Sequence, residues 1–156
     1  MVMDAGALSA LGPELTLVAA RTQPTVLTPH AGEMGRLLGV PWQEVEQDRL
    51  AAAREAAKRS QAVIVMKGAP TFVVAPDGTA YVNTTGGPSL GTAGTGDILT
   101  GLLTGLLARA AAIHGGLTLG MALELAWAGV HLHGWSADVL SPDHPHESMI
   151  SSDLLA

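Results

Sequence analysis

The segment Ala62–Met66 constrains the fold most, because its five residues, Ala-Val-Ile-Val-Met, are all apolar and mostly β-branched. A run of this kind is typical of a strand that is buried on both faces. Such a strand needs neighbouring strands at its edges and helices on either side. The segment therefore predicts an α/β architecture with a covered sheet.

Three shorter β-rich segments are candidates for the other strands of this sheet. Thr25–Leu27 reads as a strand that stops at Pro29. Thr71–Ala75 and Thr79–Val82 flank the turn residues Pro76-Asp77-Gly78. Two β-rich runs on either side of a turn predict a hairpin.

Five helical segments are predicted around these strands from capping residues, stop signals and composition. They are Asp4–Leu11, Glu33–Leu38, Gln43–Arg59, Asp97–Ala112 and Leu119–Trp135. The last segment is nearly uncharged, so we expect it to be central, with Trp127 and Trp135 in the core.

The predicted sheet is small compared with the apolar surface of the last two helices. A parallel sheet with both faces covered normally contains more βα units than this chain supplies. We therefore predict that residues 1–156 form a single domain that lacks part of its βα units. Made alone, such a chain is expected to be poorly soluble or to self-associate as a homo-oligomer.

The charge and composition exclude several classes of protein. Lys and Arg number 8 against 14 Asp and Glu, a formal net charge of −6, which offers no footprint for a nucleic acid or an anionic membrane. The apolar stretches Ile98–Ala108 and Leu117–Val130 are shorter than the roughly 20 residues that cross a bilayer. The chain has no cysteine, which excludes a thiolate zinc site and fits a cytoplasmic location.

A glycine-rich segment, Gly91-Thr92-Ala93-Gly94-Thr95-Gly96-Asp97, leads directly into the predicted helix at Asp97. Glycines permit positive φ and leave N–H groups free to converge, and the helix dipole adds partial positive charge. The segment therefore predicts a site for an anion, most often a phosphate. Asp97 there is suited to act as the base for a hydroxyl that attacks phosphorus. The alternative is a plain glycine-rich turn in which Asp97 is a favourable N-terminal charge.

Two further segments place polar side chains after strands, where open α/β sheets bind ligands. Thr28-Pro29-His30-Ala31-Gly32-Glu33 follows the first predicted strand and supplies His30 and Glu33. Lys67-Gly68-Ala69-Pro70-Thr71 follows the buried strand, and Lys67 is placed to neutralise a phosphate. A strand-to-helix loop and a solvated lysine at the sheet edge are the simpler interpretations of the two segments.

Four of the six histidines, His131, His133, His144 and His146, lie within 16 residues of one another. They do not predict a metal centre, because positions i and i+2 on a helix point apart and the other pair lies in a proline-containing loop. We interpret them as helix-end and surface histidines.

Together these segments resemble the ADP-dependent NAD(P)H-hydrate dehydratases. The similar motifs are Thr28–Glu33 with Leu37-Leu38-Gly39, Lys67–Thr71, Gly94–Asp97, Asp4-Ala5-Gly6-Ala7-Leu8 and His133–Asp138. Their order and spacing agree over nearly the whole chain. Gly6, Ala31 and Ala93 stand where the family has an aspartate, a proline and a glycine.

The resemblance implies a ribokinase-like three-layer α/β fold that lacks its N-terminal βα units, because the family has further βα units before the Asp4 segment. It also implies repair of the small molecule NAD(P)H-hydrate through a phosphorylated intermediate. It implies ADP or ATP as the phosphoryl donor, together with Mg²⁺, and no residue is matched to a metal site. Asp97 matches the aspartate placed against the substrate, and His30 matches the histidine that contacts it. The matched nucleotide-binding positions are Lys67, Gly68, Ala69, Pro70, Thr71, Gly87, Pro88, Ser89, Leu90, Gly91, Thr92, Ala93, Gly94, Thr95 and Gly96.

Two other functions share parts of this pattern. A ribokinase-like kinase for a vitamin precursor or a sugar would have the same glycine-rich segment and the same Asp97. A nucleotide-binding module without catalytic activity is consistent with the missing N-terminal units.

Overall fold

The computed structural model describes residues 1–140 and 149–155, and its centre is a mixed five-stranded sheet. The strands, in sheet order, are Val2–Met3 (β1), Val26–Leu27 (β2), Val63–Met66 (β3), Thr71–Val74 (β4) and Ala80–Asn83 (β5). β1, β2 and β3 run parallel, while β4 and β5 pair antiparallel as the predicted hairpin. The predicted strands are confirmed, and β1 is one strand more than the sequence indicated.

Seven α-helices and two 3₁₀ turns are described. The helices are Ala5–Leu11 (α1), Leu15–Ala19 (α2), Ala31–Leu38 (α3), Trp42–Gln47 (α4), Arg49–Ser60 (α5), Thr95–His114 (α6) and Leu119–Leu140 (α7). The 3₁₀ turns are Pro88–Gly91 and Ser151–Leu155.

The alternating residues of β3 divide the core into two clusters, one on each face of the sheet. Ile64 and Met66 pack with side chains from α1, α2, α3 and α5. Val63 and Val65 pack with side chains from α6 and α7. All four residues are completely buried. The prediction of a strand covered on both faces is therefore confirmed.

Several helix predictions were wrong in their boundaries: α3 begins at Ala31 instead of Glu33, and α7 ends at Leu140 instead of Trp135. The predicted helix Gln43–Arg59 is two helices, because Asp48 adopts a non-helical conformation (φ −148°, ψ 82°) between them. The Asp48 carboxylate then caps α5 by accepting a hydrogen bond from the N–H of Ala51 at 2.9 Å.

α6 is longer than the sequence predicted. It has 20 residues, and by length and composition alone it is able to cross a membrane, so the expectation that this stretch is too short was wrong. In this fold its buried side chains Leu99, Leu103 and Leu107 pack against the sheet. Only 17% of its most apolar 18-residue window is buried, so much of α6 faces away from the core.

An apolar groove of about 270 Å³ separates the exposed side of α6 from the β1 edge of the sheet. Met1, Val2, Pro24, Thr104 and Ala108 are among the residues that line it. A side chain on Gly101 or Gly105 would meet no other described atom within 4 Å. This side of α6 is therefore open in the described chain.

Candidate active site

Polar side chains from four elements meet at the carboxyl ends of β1, β2 and β3. Asp4 follows β1, His30 follows β2, and Lys67 follows β3. The first turn of α6 reaches the same place, because a methyl group added to Gly96 would lie 3.7 Å from Lys67 Nζ and 3.9 Å from Asp4 Oδ2. The structure thus brings together four segments that are far apart in the sequence.

Lys67 lies at the centre of this cluster. Its Nζ donates a hydrogen bond to Asp4 Oδ1 at 2.8 Å and lies 3.7 Å from Glu33 Oε2. Its side chain is only 21% exposed, so the interpretation of Lys67 as a solvated surface lysine was wrong. The two largely buried carboxylates of Asp4 and Glu33 fix the ammonium group of Lys67 beside the start of α6.

Asp4 connects this cluster to α6. Thr100 Oγ1 donates a hydrogen bond to Asp4 Oδ2 at 2.8 Å. Burial raises the pKa of Asp4, but hydrogen bonds from Lys67 and Thr100 and the charge of Lys67 outweigh it, so the net pKa lies below the ordinary value. Asp4 therefore stays ionised and keeps Lys67 in place.

His30 has its tautomer fixed by the capping of α3. Its Nδ1 accepts hydrogen bonds from the N–H groups of Gly32 (3.0 Å) and Glu33 (3.3 Å), and Glu33 Oε2 accepts one from the His30 N–H at 2.9 Å. These contacts form a capping box. Because Nδ1 is an acceptor, the proton of the neutral ring resides on Nε2. The ring is 56% exposed, so Nε2–H is available as a donor to a ligand.

The start of α6 differs in detail from the prediction. The helix begins at Thr95, so Gly96 and Asp97 belong to its first turn, and Gly94 is the N-cap in the left-handed region (φ 90°). No side chain caps this helix, and the N–H of Thr95 donates to the carbonyl of Thr92, which leaves those of Gly96 and Asp97 for another acceptor. Asp97 is exposed on the first turn. Of the three glycines in the glycine-rich segment only Gly94 has a positive φ, because Gly91 ends a 3₁₀ turn and Gly96 is helical.

Two side chains of α7 form hydrogen bonds to the backbone of the start of α6 and of the chain just before the glycine-rich segment. His133 Nε2 donates a hydrogen bond to the carbonyl oxygen of Thr95 at 3.0 Å, and Asp138 Oδ2 accepts one from the N–H of Gly86 at 2.9 Å. Burial lowers the pKa of His133, so this ring is neutral. The interpretation of His133 as a surface histidine was therefore wrong.

The other histidines give no evidence for a metal centre. His131 is exposed, and His144 and His146 lie outside the described residues. Within residues 1–140 and 149–155, no group of three or more potential metal ligands occurs.

The predicted nucleotide-binding positions come from two segments, which meet where Gly96 approaches Lys67. In the first segment, Gly68, Ala69 and Pro70 are exposed just after Lys67. In the second, Ser89 and Thr95 are buried, and the Thr95 hydroxyl donates to the carbonyl oxygens of Leu90 and Thr92. The more accessible positions of the second segment are Gly87, Pro88, Leu90, Gly91, Thr92, Ala93, Gly94 and Gly96.

Thr100 and Arg49 are two residues of this region that the sequence analysis missed. Thr100 is a polar residue among the apolar residues of α6, one turn after Asp97. Arg49 is a cation in the first turn of α5, where the helix dipole disfavours positive charge. In both cases, the signal that could have pointed to these residues was a residue type that is unusual for its position in a helix.

Comparison with known proteins identifies the family. A family model described as NAD(P)H-hydrate dehydratase matches residues 1–156. The chain belongs to the NAD(P)H-hydrate dehydratase family. It is 42% identical over 154 residues to the bifunctional NAD(P)H-hydrate repair enzyme of Moorella thermoacetica, covering 99% of this chain and 27% of that protein. It is 39% identical over 142 residues to the ADP-dependent (S)-NAD(P)H-hydrate dehydratase of Neisseria meningitidis, covering 90% of this chain and 45% of that protein.

Solved structures of this family and of the wider superfamily have the same fold. The ADP/ATP-dependent NAD(P)H-hydrate dehydratase of Bacillus subtilis, co-crystallised with ATP/Mg²⁺, matches with a TM-score of 0.77 and 35% identity, covering 98% of this chain and 50% of that one. A ribokinase-like superfamily protein of Enterococcus faecalis matches with a TM-score of 0.74 and 27% identity, covering 98% and 48%. The expected ribokinase-like α/β fold is therefore confirmed. The chain spans about half the length of these structures.

Proposed function

We propose that this chain takes part in the ADP-dependent dehydration of (S)-NAD(P)H-hydrate to NAD(P)H. The observation that carries the proposal is the meeting of Lys67 and His30 with the uncapped start of α6, next to the exposed carboxylate of Asp97. This arrangement offers an anion site, a hydrogen-bond donor and a base at one edge of the sheet. Membership of the family supports the same reaction.

In the proposed mechanism, Asp97 is the catalytic base. It accepts the proton of the ring hydroxyl of the hydrate while the hydroxyl oxygen forms a bond to phosphorus and the bond between phosphorus and the nucleotide breaks. The ring nitrogen then supplies the electron pair that expels phosphate, and loss of a ring proton restores the dihydronicotinamide. His30 would orient the hydrate through Nε2–H. The main task of the protein is to hold both ligands and neutralise charge.

The nucleotide is proposed to lie across Lys67–Thr71 and Gly87–Gly96, with its phosphates at the start of α6. Mg²⁺ bound with the nucleotide would neutralise phosphate charge. Asp4 and Glu33 are already engaged by Lys67, and Asp97 is the proposed base. Phosphate oxygens and water would therefore supply the ligands of Mg²⁺, as is usual for this ion.

The deciding experiment combines the chain with ADP, Mg²⁺ and NADH-hydrate and follows both the nicotinamide absorbance and the products. Return of the absorbance of reduced nicotinamide, with AMP and phosphate released, supports the proposal. A stable phosphorylated product would identify a small-molecule kinase instead. Binding of ADP without turnover would identify a nucleotide-binding module. A cytoplasmic location, homo-oligomerisation and the absence of nucleic-acid and membrane partners remain predictions from composition and charge.

A further inference from the structure

Arg49 places a largely buried guanidinium group directly behind the segment Lys67–Thr71. Its side chain is 11% exposed, although arginine is rarely buried without a specific partner. It begins α5, where the helix dipole opposes a positive charge. A residue kept in such a position must make contacts that outweigh these costs.

The contacts of Arg49 converge on two residues of that segment. Its NH2 group donates a hydrogen bond to the main-chain carbonyl of Lys67 at 3.0 Å. The guanidinium also lies against the Cα of Gly68, where an added Cβ would overlap with it. On the other side it lies over the ring of Phe72, with Cζ 5.7 Å from the ring centroid.

Few other contacts offset the cost of burying the Arg49 guanidinium group in this orientation. Its buried Nε lies 3.7 Å from Oε1 of the exposed residue Glu46, and this Nε makes no hydrogen bond among the described residues. Leaving a buried donor unpaired is costly, which indicates that the bond to the Lys67 carbonyl decides how the group is placed.

The turn after Lys67 is fixed at its two ends while its middle is open. The N–H of Lys67 donates to the carbonyl of Pro29 at 2.8 Å, and the hydroxyl of Thr71 donates to the carbonyl of Gly68 at 2.9 Å. Gly68, Ala69 and Pro70 remain exposed on the side opposite Arg49. Arg49 therefore supports the turn from the protein side and leaves the other side free for a ligand.

We propose that Arg49 is a positioning residue for the nucleotide. It holds Gly68–Pro70 in the conformation that receives ADP, acting through the carbonyl of Lys67 and the packing on Gly68, without touching the nucleotide itself. This inference rests on the proposed function, because it takes Lys67–Thr71 as part of the nucleotide site.

The test compares ADP binding by Arg49→Met, Arg49→Lys and the control Arg54→Met. Arg54 lies exposed on the same helix, so its replacement removes the same charge without disturbing the turn. With each variant folded by circular dichroism, the Kd for ADP is expected to rise about tenfold or more in Arg49→Met, because the bond to the charged group is lost. Arg49→Lys keeps a donor and should recover part of the affinity, while Arg54→Met should match the wild type.

A role in stability alone would give a different result. It would lower Tm in Arg49→Met but leave the Kd for ADP in the folded chain within twofold of the wild type, and that outcome would overturn the proposal. If Arg49→Met fails to fold, the Kd of Arg49→Lys decides in the same way. In turnover assays, the KM for ADP should rise while kcat at saturating ADP and the KM for the hydrate stay near wild type.

Amide hydrogen exchange separates this inference from the proposed function. Without nucleotide, the amides of Gly68 and Thr71 should exchange about tenfold faster in Arg49→Met than in Arg54→Met. Unchanged exchange would show that Arg49 does not order the turn, whatever the chain binds. Failure of the wild-type chain to bind ADP, with faster exchange in the variant, would instead overturn the assignment of the nucleotide site.

Discussion

Gly96 is the residue whose replacement best probes the anion site. A methyl group here fits the described structure, since its nearest neighbours are Lys67 Nζ at 3.7 Å and Asp4 Oδ2 at 3.9 Å. We expect Gly96→Ala to stabilise the fold by up to about 1 kcal/mol, because alanine favours a helix over glycine. The same methyl group occupies the approach to the start of α6, so the Kd for ADP should rise about tenfold or more by calorimetry.

Gly120→Ala is the matched control, because Gly120 is also the second residue of a helix and its nearest contact is Thr118 at 3.9 Å. Gly120→Ala should raise Tm, as Gly96→Ala should, but leave ADP affinity unchanged. Equal ADP affinity in Gly96→Ala and the wild type would place the anion elsewhere. Gly94 is a less specific probe, since an added Cβ there already meets Ser151 Oγ at 2.8 Å.

Asp97 carries the chemical step in the proposed mechanism. We expect Asp97→Asn to lower kcat by about 10²–10⁴-fold, the usual effect of losing a general base. The Kd for ADP should change little, since the backbone of the first turn is unaltered. Single-turnover measurements of phosphate release at saturating nucleotide test this, and near-normal turnover by the asparagine variant would exclude Asp97 as the base.

At the scale of elements, the contact between α7 and α6 makes the fold sensitive to acid. Because burial lowers the pKa of His133 below its ordinary value of 6.5, the unfolded chain takes up this proton more readily than the folded chain. This contribution to stability is complete above about pH 6.5 and is lost as the pH falls toward the folded pKa.

His133→Gln removes the titrating group and keeps an amide that can donate to Thr95. We therefore expect the free energy of unfolding of the wild type, measured in urea between about pH 7.5 and 5, to fall more steeply than that of His133→Gln. Parallel pH profiles for the two proteins would show that His133 is not responsible.

The elements differed in how far the sequence could predict them. β3 was predictable because all its residues are apolar, and only burial on both faces satisfies such a run. The break between α4 and α5 at Asp48 was not predictable, because an acidic residue is equally compatible with the interior of an exposed helix and with an N-cap. The predicted start of α6 was wrong by two residues. The Thr95 hydroxyl donates hydrogen bonds to the carbonyl oxygens of Leu90 and Thr92, and the hydrophobic periodicity of a sequence gives no sign of such contacts.

α7 shows most clearly which features of a helix the sequence cannot predict. A helix that is apolar on all sides has no periodic pattern to tell its buried face from its exposed face. Trp127 and Trp135 were expected in the core, yet they are 37% and 55% exposed, whereas His133 is buried. The cluster of Asp4, Lys67 and Glu33 was likewise beyond prediction in its geometry, although the motifs that supply it were identified.

At the scale of the whole molecule, the open side of α6 predicts self-association. Gly101, Thr104 and Ala108 are exposed on this helix, beside the groove at the β1 edge. Small residues allow another backbone to approach closely, and an uncovered sheet edge can pair with another strand. We expect residues 1–156 to elute as an oligomer or to aggregate in size-exclusion chromatography with light scattering.

Ala108→Glu places a charge in this groove and should shift the elution toward the monomer. Ala51→Glu, on an exposed position of α5, is the control and should not. A monodisperse monomer of the unaltered chain that unfolds cooperatively would contradict the prediction, and with it the interpretation that part of the sheet is missing.

The two hydrogen bonds of Asp4 join residues that are 63 and 96 positions apart in the sequence. Contacts across such long stretches form only after the intervening chain has closed, so this cluster should assemble late in folding. Under the proposed function, an unfolded or half-folded chain therefore has no place for the phosphates, and affinity for ADP becomes a measure of complete folding. Since a ligand that binds only the native state shifts its population, the cellular nucleotide would itself act as a stabiliser of this small and open sheet.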